Sequence, residues 1–116
     1  MVNSLGFSFD DEIVNSFCYD MVDKVIQIHF NGYSDLITSN RFLAKECVLT
    51  IKNWTNAKGK VGDESKFKPI DDIIGVFSMV LSIDKLNENL EMYVNTLDNR
   101  YIFLIFEKPE INFHIK

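Results

Sequence analysis

The chain has 116 residues, the length of one domain with one hydrophobic core. Apolar residues make up 47% of it and aromatic residues 13%, which is typical of folded proteins and not of disordered ones. The formal net charge of −5 argues against nucleic acid as a partner, because that binding depends on Lys and Arg contacts to phosphates. The same charge would suit a basic protein partner.

No apolar run reaches the roughly 18 residues that a membrane-spanning helix needs. The first residues, MVNSLGFSFDDE, lack the basic start and apolar centre of a signal peptide. We therefore expect no membrane insertion and a cytoplasmic location. In that compartment Cys18 and Cys47 are expected to be reduced thiols and not a disulfide framework.

The N-terminal part begins with alternating apolar residues that could form an edge strand: Leu5, Phe7 and Phe9. An acidic cluster follows: Asp10, Asp11 and Glu12. Such a cluster is typical of a solvated turn or of a helix start, and its functional alternative is part of an acidic docking patch. A strand is predicted next at Ile13–Tyr19, with Ile13, Phe17 and Tyr19 on one face; a short helix also fits this spacing.

Two further strands show clear alternation of apolar and polar residues. In Val25–Phe30 the even positions face the core, and Asn31-Gly32 then predicts a tight turn. The polar segment Tyr33–Phe42 is predicted to be mostly loop. Cys47–Trp54 alternates again, and Trp54 at its end is either core packing or an exposed anchor for a partner.

Residues 55–69 form the one long polar stretch, which we predict to be a loop. Its lysines give an acidic chain a local basic bias: Lys58, Lys60, Lys66 and Lys68. The next segment, Ile70–Ile83, is ambiguous. Pro69 and the pair Asp71-Asp72 suit a helix start, while Val76–Ile83 alternates as a strand does. We predict a turn at 70–73, which could become a short helix near 70–75, then a strand to Ile83, with Gly75 marking a bulge.

The C-terminal part centres on a hairpin at 89–106. Leu90, Met92 and Val94 alternate with polar residues, and the polar Asp98-Asn99 predicts the turn. The run Tyr101–Phe106 is apolar at every position, which predicts a strand covered on both faces. Asp84–Glu88 is predicted to be a turn, and Ile111–Ile115 a final strand with one face in water.

Successive strands with short turns predict a single domain over residues 1–116, mainly β, in which an antiparallel sheet of about seven strands folds into a sandwich or a partly open barrel. An α+β fold is the alternative.

The candidates for catalysis are few. His29 and His114 each lie in a predicted strand with apolar neighbours, and either could meet Cys18 or Cys47 in space. Nothing in the local sequence supports such a pair, and the CxxC and HExxH spacings of zinc sites are missing. The sequence therefore predicts a protein that is not an enzyme, with no metal site and no cofactor.

Four segments together resemble small bacterial immunity-type proteins. They are the strand and turn VIQIHFNGY, the strand CVLTIKNW that ends in Trp54, the polar loop, and the closing strands YIFLIF and INFHI. The resemblance covers most of the chain as a pattern of strands. It implies a protein encoded beside a secreted toxin, for example one of contact-dependent growth inhibition, which it binds and blocks without catalysis. No binding residue of the family can be carried over.

The preferred hypothesis is thus a non-enzymatic module that binds and neutralises a cognate toxin domain, such as a basic nuclease. The residues predicted to bind it are Asp10, Asp11, Glu12, Asp71, Asp72 and Trp54. The alternative is a small-molecule-binding β-domain that uses its aromatic residues in the barrel mouth. The chain is expected to be a monomer or a homodimer, the latter through an exposed edge strand at Ile111–Lys116.

Overall fold

The computed structural model describes residues 6–35, 41–64 and 66–116. Strands hold 65% of these residues and helix 4%, so the predicted mainly-β class is confirmed. The described strands outnumber the seven predicted. They are β1 (Phe7–Ser8), β2 (Glu12–Asp20), β3 (Val25–Phe30), β4 (Tyr33–Asp35), β5 (Arg41–Leu43), β6 (Cys47–Lys52), β7 (Asn56–Val61), β8 (Lys68–Pro69), β9 (Phe77–Leu86), β10 (Asn89–Thr96), β11 (Tyr101–Glu107) and β12 (Glu110–Ile115). One helix, α1 (Ile70–Ile73), lies among the described residues.

The strands form two antiparallel sheets. The small sheet has the order β1-β4-β5, and the large one has the order β12-β6-β3-β2-β9-β10-β11-β7-β8. The long strand β2 pairs with β3 along most of its length and with β9 at Glu12 and Ile13, so it joins a first half (β12, β6, β3, β2) to a second half (β9, β10, β11, β7, β8). The end strands β12 and β8 are not neighbours, so the barrel is open, as one of the two predicted architectures requires.

The inner faces of the two halves meet in one core. The alternating residues predicted to face inward are buried: Ile26, Ile28, Phe30, Cys47, Leu49 and Ile51 in the first half, and Leu90, Met92 and Val94 in the second. Buried with them are Ile102, Leu104 and Phe106, from the run predicted to be covered on both faces. Across the core the Trp54 ring lies 5.0 Å from the Phe106 ring, and Phe17 lies 4.2 Å from Phe77. Burial of this apolar surface is the main force that holds the halves together.

Different elements cover the two ends of the open barrel. At one end α1 inserts the buried side chains of Ile70 and Ile73. At the other end the small sheet packs Phe7 against Phe113, with their ring centres 4.2 Å apart. No helix in the described ranges is long and apolar enough to cross a membrane.

The prediction that Ile13 shares a face with Phe17 and Tyr19 is wrong, although the strand itself is confirmed. Ile13 is exposed, whereas Phe17 and Tyr19 pack against the core. The cause is a register shift between Val14 and Ser16 opposite β3. A bulge of this kind inserts an extra residue, so the side chains before it and after it leave the strand on different faces.

The prediction of a loop at 55–69 is wrong, because β7 and β8 occupy much of it. β7 looks polar in sequence since its outward positions carry Lys58 and Lys60, while its inward positions are the small Ala57 and Gly59. Gly59 is required there: a Cβ would lie 2.6 Å from the Phe103 carbonyl oxygen and 2.7 Å from the Ile73 side chain.

Smaller differences concern element ends. The predicted loop at Tyr33–Phe42 contains β4 and the start of β5, and the predicted turn at Asp84–Glu88 is shortened because β9 continues to Leu86. The turn at 70–73 is helical, as the alternative allowed. Gly75 lies in the link between α1 and β9 and not in a bulge. Leu5, predicted as part of an edge strand, lies outside the described residues.

Candidate functional site

The acidic residues predicted to bind a partner lie in two groups at opposite ends of β2. Asp10, Asp11 and Glu12 stand at its beginning, whereas the Tyr19 hydroxyl near its other end donates a hydrogen bond of 2.5 Å to Asp71 on α1. A strand of this length separates the two groups by roughly 25 Å. The structure therefore does not combine them into one patch.

Asp84 lies near the first acidic group, which the sequence could not show because Asp84 is distant from Asp10 and Asp11 along the chain. Asp11 donates its backbone N–H to the Leu81 carbonyl of β9 at 3.2 Å, which brings Asp84 near. Burial raises the pKa of Asp10; a hydrogen bond with Ser8 opposes this rise, and repulsion from Asp84 and Asp11 adds to it. Burial also raises the pKa of Glu12.

The second group is part of a braced unit at the α1 end of the barrel. Arg100, after the hairpin turn, donates through Nη1 to the Ile73 carbonyl at 2.6 Å and through Nε to Asp98 at 2.8 Å. Leu97 donates its N–H to the Val76 carbonyl at 2.9 Å. These bonds hold the turn at 97–100 against the end of α1 and the link that follows it.

Thr96 fixes the same turn from inside. It is buried, and its hydroxyl accepts the Arg100 N–H at 3.0 Å and donates to the Asp98 carboxylate. The hydrogen bond from Thr96, followed by the interaction with Arg100, lowers the pKa of Asp98 below its ordinary value. The Asp98 carboxylate is therefore charged at neutral pH and held in one place.

Two apolar side chains stand exposed on this braced unit. Leu97 is 69% exposed and Val76 is 49% exposed. Exposed carboxylates lie on the turn itself and on two further segments at the α1 end of the barrel: Asp98 in the turn, Asp71 and Asp72 on α1, and Asp20 and Asp23 after Tyr19, which bonds Asp71. We call the surface formed by these carboxylates together with Val76 and Leu97 the acidic end. It combines apolar anchors with a charged rim, the usual anatomy of a protein-binding surface.

Trp54 does not act as an exposed anchor, so that interpretation is wrong. It is 5% exposed, and its ring packs between Tyr19 and Phe106, with centroid distances of 6.1 and 5.0 Å. It reaches the surface only as part of the wall of a small pocket of about 130 Å³, which Tyr19 and Asp71 also line. The alternative interpretation as core packing describes Trp54 correctly.

The cysteine and histidine side chains are placed by the pleat of the first half. Cys47 points inward, and burial raises its pKa to about 11, so its thiol is protonated at neutral pH. His29 and His114 occupy positions that point to the outer face. Cys18 is exposed on that outer face, and its register partner Gln27 lies two residues from His29.

The prediction that Tyr101–Phe106 is covered on both faces is wrong. Its even-numbered residues are buried, but Tyr101 is 43% exposed. Together with Tyr93, Phe103 and Lys60 it lines an open pocket of about 290 Å³ on the outside of the barrel. The small-molecule alternative was expected to use the barrel mouth, whereas this pocket lies on the outer surface.

Among the described residues no three His, Cys, Asp or Glu side chains are grouped so that they could hold a metal ion. Comparisons of the chain with protein-family models, with curated proteins and with solved structures find no match. A functional proposal for this chain therefore depends on its own surfaces.

Proposed function

We propose that the chain is a non-enzymatic protein-binding module that binds and neutralises a cognate bacterial toxin, and that the acidic end is its binding surface. The observation that carries the proposal is the pair of exposed apolar side chains, Leu97 and Val76, on a unit braced by Arg100. Such anchors lose little conformational freedom on binding because the backbone beneath them is already fixed.

The charge around these anchors favours a basic partner. Complementary charge accelerates encounter and suppresses wrong partners, and α1 presents the exposed carboxylates of Asp71 and Asp72. A basic toxin domain, such as a nuclease, has the matching sign. The strand pattern that resembles immunity-type proteins points to the same class of partner, and this role would place the chain in the bacterial cytoplasm.

The test uses the toxin encoded beside the gene for this chain. We expect the native chain to bind the toxin domain and to restore growth of cells that express it. Leu97→Asp removes an anchor and adds one negative charge, so it should weaken affinity at least tenfold through the lost anchor and not through lost acidic charge. Asp72→Lys should mainly slow association and reduce its dependence on salt.

The matched control is Asp10→Lys, which makes the same charge change at the other end of β2. It should leave affinity within about twofold, since rim charges far from an interface act weakly through screened water. If Asp10→Lys abolishes binding while Leu97→Asp does not, the surface is the other acidic group. If the native chain neither binds the toxin nor protects cells, the proposed function is overturned.

A further inference from the structure

The outer face of the second half is arranged in rows that cross four strands. The pairing registers set Asp84, Glu91, Ile105 and Lys58 side by side in one row. They set Ser82, Tyr93, Phe103 and Lys60 in the next. These residues point away from the core, because the residues between them are the buried ones.

Charge changes sign from one side of this face to the other. Asp84 and Glu91 are directly opposite each other on β9 and β10, and like charges in that position cost stability. Lys58 and Lys60 lie on β7, at the far side. Glu64 is near the basic side but pairs with Lys68 at 3.7 Å.

Aromatic rings fill the middle of the face. Tyr93 stacks on Phe103 with ring centroids 4.5 Å apart and meets Tyr101 edge-on at 5.5 Å. At the basic side the amines of Lys58 and Lys60 each lie 5.3 Å from the centre of the Phe67 ring. Phe67, just before β8, is 40% exposed, and Tyr93 in the middle of the face is 37% exposed.

We propose that this face, the second-half outer face, packs against the same face of a second copy of the chain. A two-fold axis lying between the copies and parallel to the strands of β10 and β11 exchanges the two sides of the face. It therefore sets the acidic side of each copy over the basic side of the other, and the aromatic centres over each other.

The charge pattern selects this axis. A two-fold axis across the strands would place Asp84 and Glu91 over their own copies, which like-charge repulsion opposes. With the axis along the strands, Asp84 of one copy faces Lys58 of the other, and the repulsion between Asp84 and Glu91 is relieved. The homodimer needs only the purified chain, so it stands independently of the toxin proposal and of the acidic end.

The experiment measures molar mass by sedimentation and by light scattering for two charge-reversed variants. The basic-side variant is Lys58→Glu with Lys60→Glu, and the acidic-side variant is Asp84→Lys with Glu91→Lys. The native chain should be a dimer, and each variant alone should associate at least roughly a hundredfold more weakly, because each then presents one sign of charge to itself. An equal mixture of the two variants should form a one-to-one heterodimer, since their signs are opposite on both sides.

The control Lys45→Glu with Lys116→Glu changes net charge as the basic-side variant does, but away from the face, and should stay dimeric. Circular dichroism checks that each variant is folded, and recovery of the heterodimer shows the same thing independently. If the native chain is monomeric at a concentration of about 1 mM, the dissociation constant of any dimer is weaker than millimolar and the proposal is overturned. A dimer that persists in both variants also overturns it, and Asn112→Pro in β12 would then test pairing through that edge strand. A mixture of the two variants that forms no heterodimer overturns it as well.

Discussion

At the scale of single residues, His29 is the side chain whose surroundings suit it least. Its Nδ1 is buried and has no hydrogen-bond partner among the residues that the structure describes. Burial, and then the nearby charge of Lys116, lowers its pKa below the ordinary 6.5. The imidazole is therefore neutral in the folded chain at neutral pH.

This setting makes folding stability depend on pH in a definite direction. As the pH falls below 6.5, His29 gains a proton in the unfolded chain before it does so in the folded chain. The free energy of unfolding therefore decreases through this window and levels off once the pH is below the folded pKa. His29→Val should remove this component and flatten the curve of urea midpoint against pH.

The control for that measurement is His114→Val. It removes an exposed imidazole from the edge strand β12, which β6 separates from β3, and it keeps His29, so the decrease should remain. If the urea midpoint of the native chain stays constant as the pH is lowered from 7 to below the folded-state pKa of His29, the role given to His29 is contradicted.

At the scale of elements, β7 depends on a residue with no side chain. Gly59 lies where β7 meets β11 and α1, and a Cβ at this position would collide with the Phe103 carbonyl oxygen and with Ile73. Gly59→Ala should lower the free energy of unfolding by about 1–3 kcal/mol, the usual cost of overpacking. Urea denaturation measures this loss.

A glycine on the same hairpin provides the comparison. Gly62 has a φ of +54° and open space around its Cβ position. Asn tolerates this left-handed conformation better than other side chains, so Gly62→Asn should change stability by less than about 0.5 kcal/mol. Equal losses for Gly59→Ala and Gly62→Asn would show that close packing at Gly59 is not the cause.

Strands were predictable from sequence where one face is rich in large apolar residues. Val25–Phe30 and Cys47–Lys52 alternate visibly because their inner faces bury Ile, Leu and Phe. β7 was not predictable from the sequence, because Ala57 and Gly59 carry too little apolar surface to mark an inner face. The bulge after Val14 was hidden for another reason: it depends on pairing with β3, which is not local.

The candidate surfaces were predictable only in part. Asp71 and Asp72 stand out in sequence, but the exposure of Leu97 and Val76 follows from how the hairpin turn meets α1. The run at Tyr101–Phe106 indicated a strand buried on both faces because each of its residues is apolar. Composition does not show whether a second layer of the fold covers the outer side. That uncovered side is where the proposed homodimer forms.

At the scale of the whole molecule, the two halves of the large sheet are joined to each other by little strand pairing. Within the described residues β2 pairs with β9 at Glu12–Val80 and Ile13–Met79, whereas β10 and β11 pair along nearly their full lengths. The bulge after Val14 lies beside this seam. Opening the seam breaks few hydrogen bonds and leaves the strand pairing inside each half intact.

Local opening should therefore begin at this seam. We expect the backbone amides of Ile13 and Met79 to exchange with solvent deuterons at least tenfold faster than those of Met92 and Leu104, which pair with each other in the centre of the second half. Exchange followed residue by residue by NMR measures this difference. Equal protection at all four amides would mean that the large sheet opens only by global unfolding, and that the seam joins the halves as firmly as the strand pairs within them.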